Sequence, residues 1–369
     1  MDIGFLLRNS INLAFKNKLE FEFDRIPLCA DVTTFRKKKN LVKIAFNHLF
    51  PIARPMGFPY MAHVDPAGVC NLKCYNCPVL LPEKKGNCLL SFDLFRKFID
   101  EIGDYLLYII LWSWGEPLLN PNFSEMTRYA SERNILTVTS TNLNILSREK
   151  ARELMHSGLT AMIVALDGAE RTTYEKLRKG GSFDLIMKNL DILMDEKKKC
   201  SSSTPLINLR MVVSRENEHE IEKFKQIGRT LGVDMISLKA YSTRQSGSLN
   251  PAVDRKFSPE IEEFRWYKYH SDFTPVKKIK KYKCKFPWTK PMLFADGTIA
   301  SCEFDFRFDH TFGNLKDQSF CDIWFSEKAN QFRKQFLKDR DYYEFCRDCV
   351  FDYTLIKGCV LSREFPNKK

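Results

Sequence analysis

No stretch of the 369 residues reaches the roughly 18 uncharged apolar positions that a membrane span requires. A secretory signal is missing too, because Arg8, Lys16, Lys18 and Glu20 interrupt the apolar residues between Met1 and Phe21. The expected setting is the cytoplasm. The chain shows no internal repeat, and a hydrophobic content of 44% argues against disorder and allows one large core. A disulfide framework is also lacking in pattern. The twelve cysteines are bunched where metal ligands would bunch, not spread as loop staples would be.

The formal charge is +12, yet Lys and Arg are scattered, with short runs only at Arg36–Lys39, Lys197–Lys199 and Lys277–Lys281. Such runs read as solvated surface, so nucleic acid is not expected as a partner.

From Met61 the chain alternates short apolar runs with amphipathic stretches, the rhythm of a parallel sheet wrapped by helices. Six strands are expected: 61–65, 106–112, 135–140, 160–166, 206–213 and 234–239. Ser91 reads as the N-cap of a helix burying Phe92, Phe95, Ile99 and Ile102. Ser147 opens another helix that stops at Gly158, and a third over 216–231 stops at Gly232. Six units are two short of a closed eight-unit barrel, so the expected class is α/β, either a partial barrel or an open doubly wound sheet, with its chemistry at the carboxyl ends of the strands.

The flanks differ. Residues 1–60 are Phe-rich, basic and irregular and read as a packed extension, with contact to a membrane surface, a carrier or a peptide leader as the alternatives. Residues 61–241 form the barrel-like unit, 242–283 a linker, and 284–369 a small metal-stapled domain with a hairpin turning at Asp296-Gly297.

Three cysteines stand within eight residues in CNLKCYNCP, at Cys70, Cys74 and Cys77. One reading is a zinc knuckle with a distant fourth ligand. The other is an iron-sulfur cluster with one iron left open for an exogenous ligand. Past the linker, Cys284, Cys302, Cys346 and Cys349 supply four thiolates. Only one C-x2-C pair occurs there, where a zinc ribbon needs two, so a closed 4Fe-4S cluster suits them better.

The first motif resembles that of the radical S-adenosylmethionine (radical SAM) enzymes. The resemblance implies a partial six-unit TIM-like barrel in which Cys70, Cys74 and Cys77 hold a 4Fe-4S cluster whose open iron is chelated by S-adenosylmethionine. Tyr75 takes the place of an aromatic residue near the adenine. Trp112-Ser-Trp-Gly-Glu-Pro117 is similar to the family's Gly-Gly-Glu-Pro turn, with Trp114 replacing the first Gly and with Gly115 and Glu116 at the methionine amino group. Ser140-Thr141-Asn142 resembles the Thr-Asn-Gly turn beside the ribose and carboxylate, although Leu143 stands where Gly is usual. Val164-Ala-Leu-Asp-Gly168 is similar to Ser-Leu-Asp-Gly, with Asp167 kept and a hydroxyl lost at Ala165. Arg178 resembles an Arg often found near the cofactor.

The C-terminal segment resembles the twitch domain, a shortened relative of SPASM, through Cys284, the Gly297 to Cys302 spacing, and Phe312-Gly-Asn-Leu315 followed by Ser319 and Ile323-Trp324. It implies one auxiliary 4Fe-4S cluster on Cys284, Cys302, Cys346 and Cys349. Cys359 is open to three readings: a replacement ligand, a hydrogen-atom donor or a small buried hydrophobe. Cys29, Cys88, Cys200 and Cys321 read as the last of these.

The implied activity is reductive cleavage of S-adenosylmethionine to a 5'-deoxyadenosyl radical, which abstracts hydrogen from a substrate C–H bond. Oxidation of the substrate with the auxiliary cluster as electron acceptor is the favoured outcome. A redox-neutral epimerase or peptide- or sugar-modifying enzyme is the alternative, and a zinc-binding interaction module is a reading from a different class. The implied partners are an external electron donor such as flavodoxin or ferredoxin and a small-molecule or peptide substrate. No motif marks a catalytic acid or base; Asp167 and His219 are the available candidates.

Overall fold

The computed structural model describes residues 15–50, 52–242, 251–280, 282–347 and 349–366. The described chain begins with a hairpin where the sequence reads as irregular. Strands β1 (Lys18–Phe23) and β2 (Ile26–Asp31) pair antiparallel through a turn at Asp24 and Arg25, both left-handed (φ 50° and 61°). Two consecutive left-handed residues match the right-handed twist of a tight hairpin. Helix α1 (Phe35–Leu49) follows, with the Thr34 hydroxyl accepting from the amide of Lys37.

Strands β3 (Met61–Val64), β4 (Tyr108–Leu111), β5 (Leu136–Thr141), β6 (Ala161–Ala165), β7 (Leu206–Val213) and β8 (Met235–Ala240) lie side by side in chain order, all parallel. Each of the six expected strands is there, shifted by at most two residues at either end. Helices α2 (Phe92–Ile102), α3 (Phe123–Ser131), α4 (Arg148–Met155), α5 (Arg171–Leu177), α6 (Phe183–Cys200) and α7 (Ile221–Leu231) occupy the connections. Several of their ends follow the expected signals, although α4 stops at Met155, short of Gly158, and α7 starts at Ile221 rather than at 216. The hydroxyls of Ser91 and Ser147 accept from the amides of Leu94 and Lys150, and α7 stops on left-handed Gly232.

Alternation along the strands assigns the two faces. Ala62, Val64, Ile109, Leu111, Met162, Val164, Leu209 and Met211 pack under the helices. The opposite set, Met61, Tyr108, Ile110, Val138, Ile163 and Met235, faces inward and meets Ile26, Leu28, Ala30 and Val32 of the hairpin. The strands are therefore covered on both faces and read as continuous apolar runs. The hairpin fills the inside of the curved sheet.

A buried ionic cluster pins that hairpin. Asp24 at its tip pairs with Arg210 of β7, and Lys239 of β8 approaches to 3.3 Å. Arg210 Nε also donates to the Ser237 hydroxyl at 2.9 Å. Burial alone would raise the Asp24 carboxyl. The charges of Lys239 and Arg210 outweigh it and hold the group well below the usual carboxylate range.

Helix α8 (Pro251–Phe257) lies in the segment expected as a linker, part of which falls outside the described residues. After it come α9 (Phe286–Thr289), β9 (Met292–Leu293), β10 (Thr298–Ala300) and β11 (Gly313–Asn314). The β9–β10 turn falls at Asp296-Gly297 as expected, with Gly297 at φ 93° and Asp296 Oδ1 accepting from the amide of Thr298. Helices α10 (Phe320–Trp324), α11 (Glu327–Lys338) and α12 (Glu344–Arg347) and strand β12 (Val360–Glu364) complete the described chain. Strand β9 joins β3 in parallel and β12 joins β8 antiparallel, giving an open ten-stranded sheet ordered β11-β10-β9-β3-β4-β5-β6-β7-β8-β12.

Candidate active site

The carboxyl ends of β3 to β8 surround a cavity of about 260 Å³. Cys70, Cys74 and Cys77, on the loop after β3, line it together with Tyr75, Trp114, Gly115, Glu116, Thr141, Asn142, Asp167 and Arg178. All eleven residues singled out in the first domain thus meet in one space, although they come from five separate stretches of the chain.

Local bonds explain how. Gly115 sits against the start of the cysteine loop so tightly that a Cβ there would lie 1.6 Å from the carbonyl oxygen of Ala67 and 2.6 Å from that of Val69. Only glycine fits. The next amide, of Glu116, donates to Val69 O at 2.9 Å and ties the two loops together. A Gly115→Ala variant is expected to push them apart, with a loss of roughly 2–3 kcal/mol of stability. Calorimetric titration with S-adenosylmethionine should show its affinity falling at least tenfold.

The buried Glu116 carboxylate accepts from the Thr141 hydroxyl at 2.7 Å and from the amides of Asn142 at 2.8 Å and Leu118 at 3.1 Å. Burial raises this carboxyl, against the three donors that favour its charge. A carboxylate offers about four acceptor positions, so one more donor, such as an ammonium group, can still be taken.

Asn142 Nδ2 donates to Asn71 Oδ1 at 2.9 Å within the cysteine loop. Leu143, where glycine is usual, takes the left-handed conformation itself (φ 54°) and is fully buried. Its carbonyl accepts from Asn189 Nδ2 at 2.8 Å, which fixes the turn that a glycine would otherwise permit.

Asp167 Oδ2 accepts from Arg178 Nε at 2.7 Å and its Oδ1 from the amide of Val212 at 2.8 Å. Arg178 reaches 3.8 Å from Cys74 Sγ. Burial would lower the guanidinium, but Asp167 and Cys74 raise it above its ordinary value. Tyr75 is half exposed at the rim, packed on Phe257 with ring centroids 4.6 Å apart. His219 is exposed beside Glu220 and is absent from the cavity lining.

The other four cysteines, Cys284, Cys302, Cys346 and Cys349, line a second space of about 50 Å³, walled by Phe286, Phe304, Phe336, Phe345 and Phe351. Burial pushes the Cys284 thiol up to about 11. Among the described residues, no three His, Cys, Asp or Glu side chains group closely enough to hold a single metal ion. The thiols instead ring cavities, an arrangement that suits a cluster held between them.

Cys359 does not line the second space. It stands before β12 with its thiol donating to Asp24 at 3.4 Å. Cys29, Cys88 and Cys321 are exposed, which corrects the expectation of small buried hydrophobes; Cys200 is half-buried.

The contact between the two spaces has no counterpart among the motifs. Trp114 Nε1 donates to the carbonyl of Glu303 at 3.0 Å, and its own carbonyl lies 3.8 Å from Cys77 Sγ. Glu303 follows Cys302 directly. Its carboxylate accepts from the Cys302 thiol at 3.4 Å and from Lys290 Nζ at 3.0 Å, with His63 Nδ1 at 3.7 Å. Against burial, Lys290 and His63 hold the Glu303 carboxyl well below its ordinary value. A charged side chain next to one of the four clustered cysteines was the available signal.

Comparison with known families decides between the readings of the cysteines. Residues 64–227 match the radical SAM superfamily, and residues 284–350 match the SPASM iron-sulfur cluster-binding domain. This is a radical SAM chain with a SPASM domain. The two domains imply S-adenosylmethionine and two iron-sulfur clusters, one in each. The two sets of thiols fit this: three at one cavity would leave a ligand position for the cofactor, and four at the other would close a cage.

The chain is 25% identical over 310 residues to a tungsten-containing aldehyde ferredoxin oxidoreductase cofactor-modifying protein of Pyrococcus furiosus, covering 76% of this chain and 84% of that one. It is 30% identical over 152 residues to an Fe-coproporphyrin III synthase of Methanosarcina barkeri, a match confined to 41% of this chain and 36% of the relative. The fold is that of Streptococcus suis SuiB bound to S-adenosylmethionine (TM-score 0.58, 15% identity, 90% of this chain and 78% of that one).

Proposed function

We propose that the chain takes a hydrogen atom from a C–H bond of a small-molecule or peptide substrate and completes a two-electron oxidation. Reduced by an external donor such as flavodoxin or ferredoxin, the first cluster and S-adenosylmethionine supply the hydrogen-abstracting radical, and the second cluster supplies an electron acceptor. The substrate thus loses one hydrogen atom, then one proton and one electron.

The protein's own share is holding and exclusion. Cys70, Cys74 and Cys77 present three thiolates, Glu116 keeps an acceptor position for the methionine ammonium, and Thr141 and Asn142 fix Glu116. The Asp167–Arg178 pair steadies the loop beside Cys74. The hairpin behind the cavity closes the sheet's interior to water, so the radical meets substrate before solvent.

The Trp114 bridge carries the oxidative reading. One residue touches both cysteine sets, its backbone carbonyl facing Cys77 Sγ and its indole N–H bonding the carbonyl next to Cys302. A Cys346→Ala/Cys349→Ala double variant is expected to keep cofactor cleavage and lose the oxidised product, as read by chromatography of 5'-deoxyadenosine and product in parallel. Unchanged product from that variant rejects the role given to the second cluster.

A further inference from the structure

Helix α1 is turned inside out. Its buried positions are Lys37, Asn40, Ile44 and Asn47, three of them polar. Their bonds run inward: Lys37 Nζ donates to Asn134 O at 3.1 Å, and the Asn40 amide bonds both ways with the backbone of Phe58 at 2.9 Å. The apolar residues point the other way. Phe35 is 79% exposed, Val42 70% and Leu49 75%, and Phe46 joins them on the same stripe of the helix. Phe50, Ile52 and Met56 extend the exposed apolar surface beyond the helix end.

An exposed apolar stripe of this extent marks a contact surface. Its charge identifies the partner. No Asp or Glu occurs from Val32 to Val64, a stretch that holds Arg36, Lys37, Lys38, Lys39, Lys43 and Arg54. Lys37 is buried, Arg36 pairs with Asp104 and Lys38 Nζ donates to Asn17 Oδ1 at 2.6 Å, which leaves Lys39 and Lys43 along one border of the stripe. An apolar face edged with lysines suits an anionic lipid surface. A symmetric pair of copies would instead set the same lysines against each other.

The position agrees. Asn134, bonded by the buried Lys37, and Asp104, paired with Arg36, precede β5 and β4, so the helix covers the amino ends of the strands. The cavity opens at their carboxyl ends. Docking through α1 leaves that mouth free for substrate and electron donor.

We propose that α1 seats the protein on an anionic bilayer, its apolar stripe in the headgroup boundary and its lysines on the lipid phosphates. The test is co-sedimentation of the cluster-loaded full chain with vesicles of phosphatidylcholine alone or with one quarter phosphatidylglycerol. Wild type should pellet with the anionic vesicles and stay soluble with the neutral ones. Phe46→Glu/Leu49→Glu should abolish pelleting. Lys39→Gln/Lys43→Gln should weaken it roughly 25-fold, about fivefold per lysine. None of the replaced side chains belongs to the buried set of the helix, so melting temperature and iron content should match wild type in both variants. A wild type that ignores anionic vesicles overturns the proposal, as does equal binding by either variant. So does a dimer, seen by sedimentation velocity, that both variants dissolve while vesicle binding is nil.

Discussion

A Cys74→Ala chain, isolated without oxygen, is expected to carry about four irons where the wild type carries about eight, and to release no 5'-deoxyadenosine. The cause is local. Cys74 is the middle thiol of the three that share the larger cavity, and the geometry offers no substitute sulfur there, because the remaining cavity-lining cysteines are Cys70 and Cys77 alone. A cluster with three protein ligands that loses one has no means of keeping both its iron and an open coordination position. The fold should survive. Arg178 keeps its bonds to Asp167 when the 3.8 Å contact to Cys74 is removed, and Cys74 is only half-buried. Thermal unfolding of the cluster-free forms should therefore differ by less than about 1 kcal/mol. The four thiols of the smaller space are untouched, so the iron that remains reports on them.

The largest effect on stability is expected at the opposite end of the cavity wall. Asp24→Ala leaves Arg210, 4% exposed, without its carboxylate partner and should cost about 3–5 kcal/mol. The loss should appear as a lower denaturant midpoint. Arg210→Met with Asp24→Ala should lose less than the two single changes summed, because the double variant strands no charge at Arg210. The acid dependence follows from the same pair. Since the folded carboxyl lies well below its unfolded value of about 3.9, its contribution is present above that pH and drains away as pH falls toward the folded value. Wild-type stability should drop more steeply than that of Asp24→Ala below about pH 4.

Lys239 and Arg210 are register partners of Val212 and Ala165, and both partners line the cavity. Damage at the hairpin tip should therefore also reach substrate binding.

The parallel strands were legible because each is buried on both faces and has to be a short continuous apolar run bounded by turn chemistry. The cysteine loops were legible because ligand spacing is written locally. What went unread is written over long distances. The alternation of Phe21, Phe23, Ile26 and Leu28 is a strand signal, but nothing local says that this hairpin inserts into a sheet formed much later in the chain. Arg210, the one charged residue in β7, demanded a partner without naming Asp24. Glu303 was visible beside Cys302, while its companions His63 and Lys290 are brought in only by the pairing of β3 with β9.

Leu143 shows the reverse case. The sequence there suggested an altered turn, and the fold restores the left-handed backbone by burying the side chain and bonding Asn189 to its carbonyl. The aromatic residues of α1 misled for a simpler reason. Apolar residues on an amphipathic helix ordinarily face the core, and this helix buries its amides and a lysine instead.

The central claim is that three thiols at one cavity and four at another serve a single radical reaction. The most direct measurement is anaerobic incubation of the fully iron-loaded chain with S-adenosylmethionine and dithionite, followed by quantitation of both cleavage products. The account predicts methionine and 5'-deoxyadenosine in equal amounts, abolished in Cys74→Ala and retained in Cys346→Ala/Cys349→Ala. Intact S-adenosylmethionine after incubation with protein carrying about eight irons would contradict it.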